Sequence, residues 1–219
     1  MKWPTPDDLA TLVPMPPGYR FEHVGRAHVA PLIEAIRAWH PSISVGVASC
    51  YLREHFYYDR VCLDGEVDKD VCVFRIMFRE EMIGVWSFER EIDSLAIYGR
   101  LLVVAPAHRG AGLSVHTLAG AENVARAMGA AFMYGLATLT SPYVQRAFER
   151  AGYRLLGFFP GYDREEVAPG VVKRVYQSVY AKLMVPEHDV HWPDPKNMTP
   201  KAKALYELLF SDIAATVAR

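Results

Sequence analysis

The sequence has no apolar run long enough to cross a bilayer. Stretches such as Leu101–Ala107 stop far short of the roughly 20 residues a membrane helix needs. It has only three cysteines, Cys50, Cys62 and Cys72. That odd number, with no CxxC spacing, argues against a disulfide framework and for a reduced, cytoplasmic setting. It has almost no excess charge, with a formal net charge of −1. No global field therefore draws the chain to nucleic acid or to an anionic membrane, and neither is an expected partner. The segment Met1–Pro17 is proline-rich and has no apolar h-region, so a secretory signal is not expected there. Eight histidines are scattered, and the closest pair, His188 and His191, lies in a proline-rich stretch. A structural metal site usually needs four spaced ligands, so no metal is expected. Internal repeats and low-complexity tracts are absent too.

What remains is an ordinary globular composition, 51% hydrophobic and 22% charged over 219 residues. It suits one domain with an appendage. Residues 1–18 read as an extended arm. Tyr19–Val24 alternates as a strand, and Val29, Leu32, Ile33, Ile36 and Trp39 fall at helical spacing up to a stop at Pro41. Residues 42–60 read as helical in part. Val71–Phe78 and Ile83–Phe88 form a hairpin about a polar turn, and Leu95–Val104 is a third strand ended by Pro106. A helix over Leu113–Met128 stops at Gly129, and Ala131–Thr138 is a strand. Ser141-Pro142 opens a helix as N-cap and first residue, and Gly152 closes it. Tyr153–Phe159 and Val171–Val185 are strands flanking a loop at 160–170. Residues 186–200 form a proline-rich linker to an amphipathic helix over Lys201–Val217, whose stripe is Leu205, Leu208, Leu209, Ile213 and Val217. The expected fold class is α/β, a mixed sheet with helices on both faces. The expected organisation is an arm (1–18), a catalytic-type domain (19–185), and a linker with helix (186–219).

The segment from Val104 to Ser114, V-A-P-A-H-R-G-A-G-L-S, carries the chemistry. It lies between a strand and a helix. Glycines let backbone approach a bulky anion, the first helical N–H groups have no internal partner, and the helix dipole adds about half a positive charge there. Arg109 adds a cation. The pattern suits a pyrophosphate cradle. It is neither GxGxxG nor GxxxxGK[ST], so a dinucleotide loop and an NTPase loop are disfavoured.

This segment resembles the central motif of the GCN5-related N-acetyltransferase (GNAT) family, V-x-P-x-x-R-G-x-G-[IL]-[GA]. Val104, Pro106, Arg109, Gly110, Gly112 and Leu113 match, and Ser114 replaces a small residue. A second family motif is matched about thirty residues on by Arg150, Gly152 and Tyr153. There Ser141 stands for Asn and Val144 for Ala. The resemblance covers about residues 19–185. It implies a GNAT-like fold, with a central splayed mixed sheet and acyl-CoA, normally acetyl-CoA, as co-substrate in the gap. Leu102, Val103 and Val104 would pair with the pantetheine amides. Arg109, Gly110, Ala111, Gly112, Leu113 and Ser114 would hold the pyrophosphate, and the helix from Ser141, with Phe148, would flank the thioester.

The proton-transfer positions depart from the family. The customary Tyr acid is Phe148 here, which cannot donate a proton and reads as packing near the cofactor's sulfur. The position of the histone-type Glu base is Tyr98, a poor base but a fair donor. Glu89, in a cluster with Glu91 and Asp93, is the carboxylate expected to attract or deprotonate an amine. Tyr98 and Glu89 are the candidate catalytic residues. Trp86 and Phe88, with the aromatics Tyr51, Phe56, Tyr57 and Tyr58, either line an acceptor pocket or belong to the core. The resemblance implies an N-acyltransferase acting on a small-molecule amine. The altered positions leave a second reading open, a catalytically silent acyl-CoA-binding or sensing protein. The C-terminal stripe suits packing on its own domain or, as a homodimer, on a second subunit.

Overall fold

The computed structural model describes residues 1–110 and 112–217, and the side chains of these except residues 114, 115 and 211–217. It comprises two compact units, Met1–Met184 and Val185–Arg219.

The first unit is built on one mixed sheet. Its strands are β1 (Tyr19–His23), β2 (Val61–Cys62), β3 (Val71–Phe78), β4 (Glu81–Glu91), β5 (Ala96–Val104), β6 (Phe132–Thr138), β7 (Arg154–Ala168) and β8 (Val171–Leu183). The order is β1-β3-β4-β5-β6-β8-β7, with the short β2 also on β3. β5 and β6 run parallel, because the helix α4 (Leu113–Ala127) crosses over between them, and hairpins make the pairs β3–β4, β4–β5 and β7–β8 antiparallel. β3 reads as a nearly unbroken apolar run because it is central and covered on both faces.

Each face carries its own core. On one side α2 (Val29–Trp39) and α3 (Glu54–Arg60) cover the sheet. Val29, Leu32, Ile33 and Ile36 of α2 are buried there with Tyr51, Tyr57, Val73 and Val85. Burying such an aliphatic side chain contributes about 2 kcal/mol. On the other side lie α1 (Pro6–Leu12), α4 and α5 (Tyr143–Arg150), over Phe74, Ile83, Trp86, Phe88, Ile97 and Tyr180. Trp86 and Phe88 are therefore core side chains, 3% and 4% exposed.

Three expectations are corrected. The arm at 1–18 is not extended throughout, because residues 6–12 are helical. Thr5 and Asp8 form a capping box, with the Asp8 N–H donating to Thr5 Oγ1 at 3.3 Å and the Thr5 N–H to Asp8 Oδ2 at 3.2 Å. Trp3, Leu9 and Val13 then bury themselves on the α4 side of the core. The loop expected at 160–170 is mostly strand. β7 continues to Ala168, because an irregularity between Phe159 and Asp163 absorbs Pro160 and Gly161, and a second one between Glu166 and Ala168 absorbs Val167, without ending the ladder. Helix α5 starts at Tyr143 and Pro142 is its N-cap. Ser141 still helps, because its Oγ accepts from the Tyr143 N–H at 3.4 Å.

The second unit holds α6 (Pro200–Val217), which is not one straight helix: Phe210 has non-helical angles (φ −129°, ψ 26°) and marks a kink. Leu205 and Leu208 of the expected stripe are exposed, and Ile213 and Val217 lie outside the described side chains.

Candidate functional site

β5 and β6 pair from Ala96–Phe132 to Gly99–Gly135 and then part. β5 keeps its ladder with β4 as far as Val104–Gly84, while β6 keeps its ladder with β8 as far as Thr138–Gln177. The facing edges of 100–104 and 136–138 therefore line a wedge-shaped gap. The cause is a bulge: Ser87 faces Leu101 and Phe88 faces Gly99, so Arg100 is the extra residue that bends β5 away. Leu102 is exposed, whereas Val103 is buried at 3%.

At the wide end of the gap lies the glycine loop. Gly110 and Gly112 have φ of +83° and +75°, the left-handed region that glycine enters without strain. Gly112 is the N-cap of α4, so the unpaired N–H groups of its first turn, beginning at Leu113, face outward. A Cβ at either glycine would meet nothing within 4 Å. The loop thus fronts open space at a helix N-terminus, which fits a bulky phosphorylated ligand such as the pyrophosphate of CoA. Ala111 and the Ser114 side chain lie outside the described residues. Arg109 does not simply extend toward that space. Its Nε donates to the Val104 carbonyl at 3.0 Å and its Nη2 to the Trp39 carbonyl at 2.7 Å, which braces the loop against β5 and the end of α2. His108 packs on Tyr19 and Phe78.

Phe148 stands over β6, with its ring tip against Gly135, where any Cβ would collide with it. It stacks on Tyr180 at 5.4 Å and lies 5.1 Å from Tyr153. Its packing role is plain, and it borders the gap. Ser141 lies two residues before α5, beyond the end of β6.

Tyr98 and Glu89 are direct partners across β4 and β5, on the α2–α3 face. Tyr98 stacks on Tyr134 at 4.9 Å and 13°. Burial, followed by nearby Tyr162, pushes its hydroxyl up to about 12, so it stays protonated and can donate but not abstract. Tyr134 is also raised, first by burial and then by donating to Glu91. Glu89 is no free base. One oxygen accepts from Arg60 at 3.2 Å and the other from Arg100. Arg100 Nε also donates to the Tyr51 hydroxyl at 3.2 Å, and Tyr51 donates to Ser87 at 2.6 Å. Beside Tyr134 a cavity of about 320 Å³ opens, lined by Ala96, Phe132, Leu156 and Val179 with Glu91 at its edge. Sequence reading missed Arg100 and Tyr134. One signal was present: a lone glycine inside an apolar strand, Gly99, marks a bulge and hence a re-aimed neighbour.

A mixed sheet split after a bulge, with a glycine turn and helix at the mouth of the split, is the fold of the GCN5-related N-acetyltransferases. No family model and no curated protein matches the sequence. Solved structures do match the fold. RimL, a ribosomal L7/L12 alpha-N-protein acetyltransferase in complex with coenzyme A, is similar with a TM-score of 0.59 and 14% identity, over 78% of this chain and 97% of that one. The spermidine/spermine N-acetyltransferase SpeG from Vibrio cholerae gives 0.62 and 11%, over 77% and 95%. An IAA acetyltransferase from Bacillus cereus gives 0.54 and 13%, over 75% and 99%.

Proposed function

We propose that the chain is an acyl-CoA-dependent N-acyltransferase, with acetyl-CoA as donor and a small-molecule amine as acceptor. The observation that carries this reading is the gap itself, open between β5 and β6 and fronted by two left-handed glycines at a helix N-terminus. The similar structures belong to acetyltransferases, one of them holding coenzyme A. Backbone groups of Leu102 and Val103, with Val104, would align the pantetheine arm, although the Val104 carbonyl already serves Arg109. Gly110 to Ser114 would receive the pyrophosphate, and the Ser141 turn and Phe148 would wall the thioester end. The donor supplies an acyl thioester whose carbonyl carbon takes the amine nitrogen as its C–S bond breaks, with the proton the nitrogen loses passing to solvent water and the thiolate leaving.

Tyr98 sits one residue before the parting of the strands and remains a phenol, which makes it the candidate proton donor to the departing thiolate. Glu89, braced by two guanidiniums, orients the acceptor side rather than abstracting its proton. The three cysteines are free and buried, which suits a reducing, cytoplasmic setting.

Calorimetric titration of acetyl-CoA, with Gly112→Trp as control, tests the cradle. The native chain should bind and the indole should abolish binding. No binding by the native chain would refute the reading. The sensing alternative draws on Phe148, which has no hydroxyl at the customary acid position. Cofactor binding without thiol release over a broad amine panel would favour it.

A further inference from the structure

Two of the three cysteines stand side by side. Cys62 on β2 and Cys72 on β3 are direct partners across the parallel pairing of these strands. Neighbouring strands lie about 4.8 Å apart, inside the roughly 4.4–6.8 Å that separates the Cα atoms of disulfide-bonded cysteines. Both side chains point to the same face. Their neighbours Val61 and Val71 enter the cluster on the α2–α3 side, while Cys62 and Cys72 enter the one on the α1–α4 side. Cys50 belongs to the α2–α3 cluster, which holds no other cysteine. In a reducing setting the pair rests as free thiols, the state seen here.

Both thiols are closed off. Each residue is 0% exposed, and burial pushes both thiols above the ordinary cysteine range, which starves them of reactive thiolate. The N-terminal arm reaches the same spot. Trp3 is buried in the same cluster, and its Nε1 donates at 2.9 Å to the Lys69 carbonyl, which also accepts from Cys62 Sγ at 3.3 Å. One oxygen thus ties the indole to the thiol. Arg90 clasps the arm to the β2–β3 connection, with Nη1 donating to the Met1 and Val67 carbonyls, both at 2.9 Å. The arm contributes no strand to the sheet. It is held by side chains and a few hydrogen bonds, so it opens locally at lower cost than the ladders do.

We propose that Cys62 and Cys72 are a reversible disulfide site guarded by the N-terminal arm, oxidised by a low-molecular-weight disulfide when the arm lifts. The chemistry is thiol–disulfide exchange. The Cys62 thiolate attacks one sulfur of the oxidant, whose S–S bond breaks. One reduced thiol departs and a mixed disulfide stays on the protein. The Cys72 thiolate then attacks Cys62 Sγ in that adduct and expels the second thiol. Two electrons pass from the cysteine pair to the oxidant, and the two protons end on the two thiols released. The new bond closes residues 62–72 into a ring and pins β2 to β3. Nothing in this step depends on the transferase reading.

Oxidised glutathione is the probe. Native protein is incubated with it without denaturant, quenched by alkylation and digested with trypsin. Lys69 gives a cleavage point between the two cysteines. The expected product is a crosslink between the peptide holding Cys62 and the one holding Cys72, with the mass lowered by about 2 Da for the two hydrogens lost. Dithiothreitol should reverse it. Trp3→Ala and, on α1, Leu9→Ala should each raise the rate of crosslinking roughly 10-fold, because each lowers the cost of lifting the arm. Cys50 lies in the other core, so its alkylation by iodoacetamide, measured separately, reports unfolding rather than arm opening, and that rate should stay native in both variants. Cys72→Ser combined with Trp3→Ala should stop at a glutathione adduct on Cys62. No crosslink in native protein overturns the proposal, as does a glutathione adduct that persists on native Cys62, or a crosslink through Cys50. So does a crosslink that forms no faster in either variant, or one that only keeps pace with Cys50 alkylation, because the chain would then react from its unfolded state.

Discussion

Arg100 is the most constrained charge near the gap. The bulge turns it inward, and its side chain is only 16% exposed against 22% for Glu89. A half-buried guanidinium needs its partner more than the partner pair adds to stability, because a lone charge keeps the desolvation cost and loses the attraction. Glu89→Ala should therefore destabilise the chain by about 2 kcal/mol, read from the urea midpoint. Arg100→Met combined with Glu89→Gln should recover most of that loss, since both charges leave together. This separates a brace from a base. If Glu89 instead removes the acceptor's proton, Glu89→Gln would abolish turnover while leaving the urea midpoint of that single variant close to native.

At the scale of elements, α1 and α4 meet through one glycine. A Cβ on Gly120 would come inside 3.0 Å of the Val13 side chain, and Asn123 Nδ2 donates to the Leu12 carbonyl at 3.0 Å. Helix propensity alone favours alanine at Gly120 by about 1 kcal/mol. Overpacking a buried contact costs about 1–3 kcal/mol, so the clash should win. Gly120→Ala is expected to loosen residues 1–13 and expose them to limited proteolysis, and Val13→Ala in the same chain should restore protection. A single variant as resistant as native would mean that the helices slide apart without cost. The docking also shows where sequence reading stops. The glycine loop was legible, because Gly110 and Gly112 occupy dihedrals that few other residues tolerate, and such demands are local. The sheet was legible through its apolar runs and turns. Helix α1 was missed because four prolines flank it closely, although Thr5-Pro-Asp-Asp8 spells its cap. The far half of β7 was missed because Pro160, Gly161 and Gly170 look like loop chemistry, while the ladder simply bulges around the first two. The brace made by Arg109 and the hydrogen bond from the Val47 N–H to Asp163 leave no local trace, the latter spanning 116 residues.

For the whole molecule, the decisive fact is that neither apolar cluster draws on a residue beyond Met184 among those described. The last strand, β8, ends at Leu183, and the Met184 N–H closes the sheet on the Ala131 carbonyl at 2.9 Å. Among the described residues, the core of the first unit is built from that unit's own side chains. Removing residues 185–219 should therefore leave acetyl-CoA binding intact and move the melting temperature by no more than about 4 °C, the shift that roughly 1 kcal/mol produces at this size. Leu205 and Leu208 are 51% and 76% exposed on α6, an unusual outlay of apolar surface for a helix that serves only its own chain. If α6 joins two subunits, light scattering should give a dimer for the full chain and a monomer for the shortened one, at equal melting temperature. A shortened chain that stays dimeric would assign the contact to the first unit. A melting temperature that falls far more would mean that α6 supports the sheet directly. Because self-association adds to the melting temperature by mass action, both chains are melted at a protein concentration low enough to dissociate a dimer, where only the core of residues 1–184 is read.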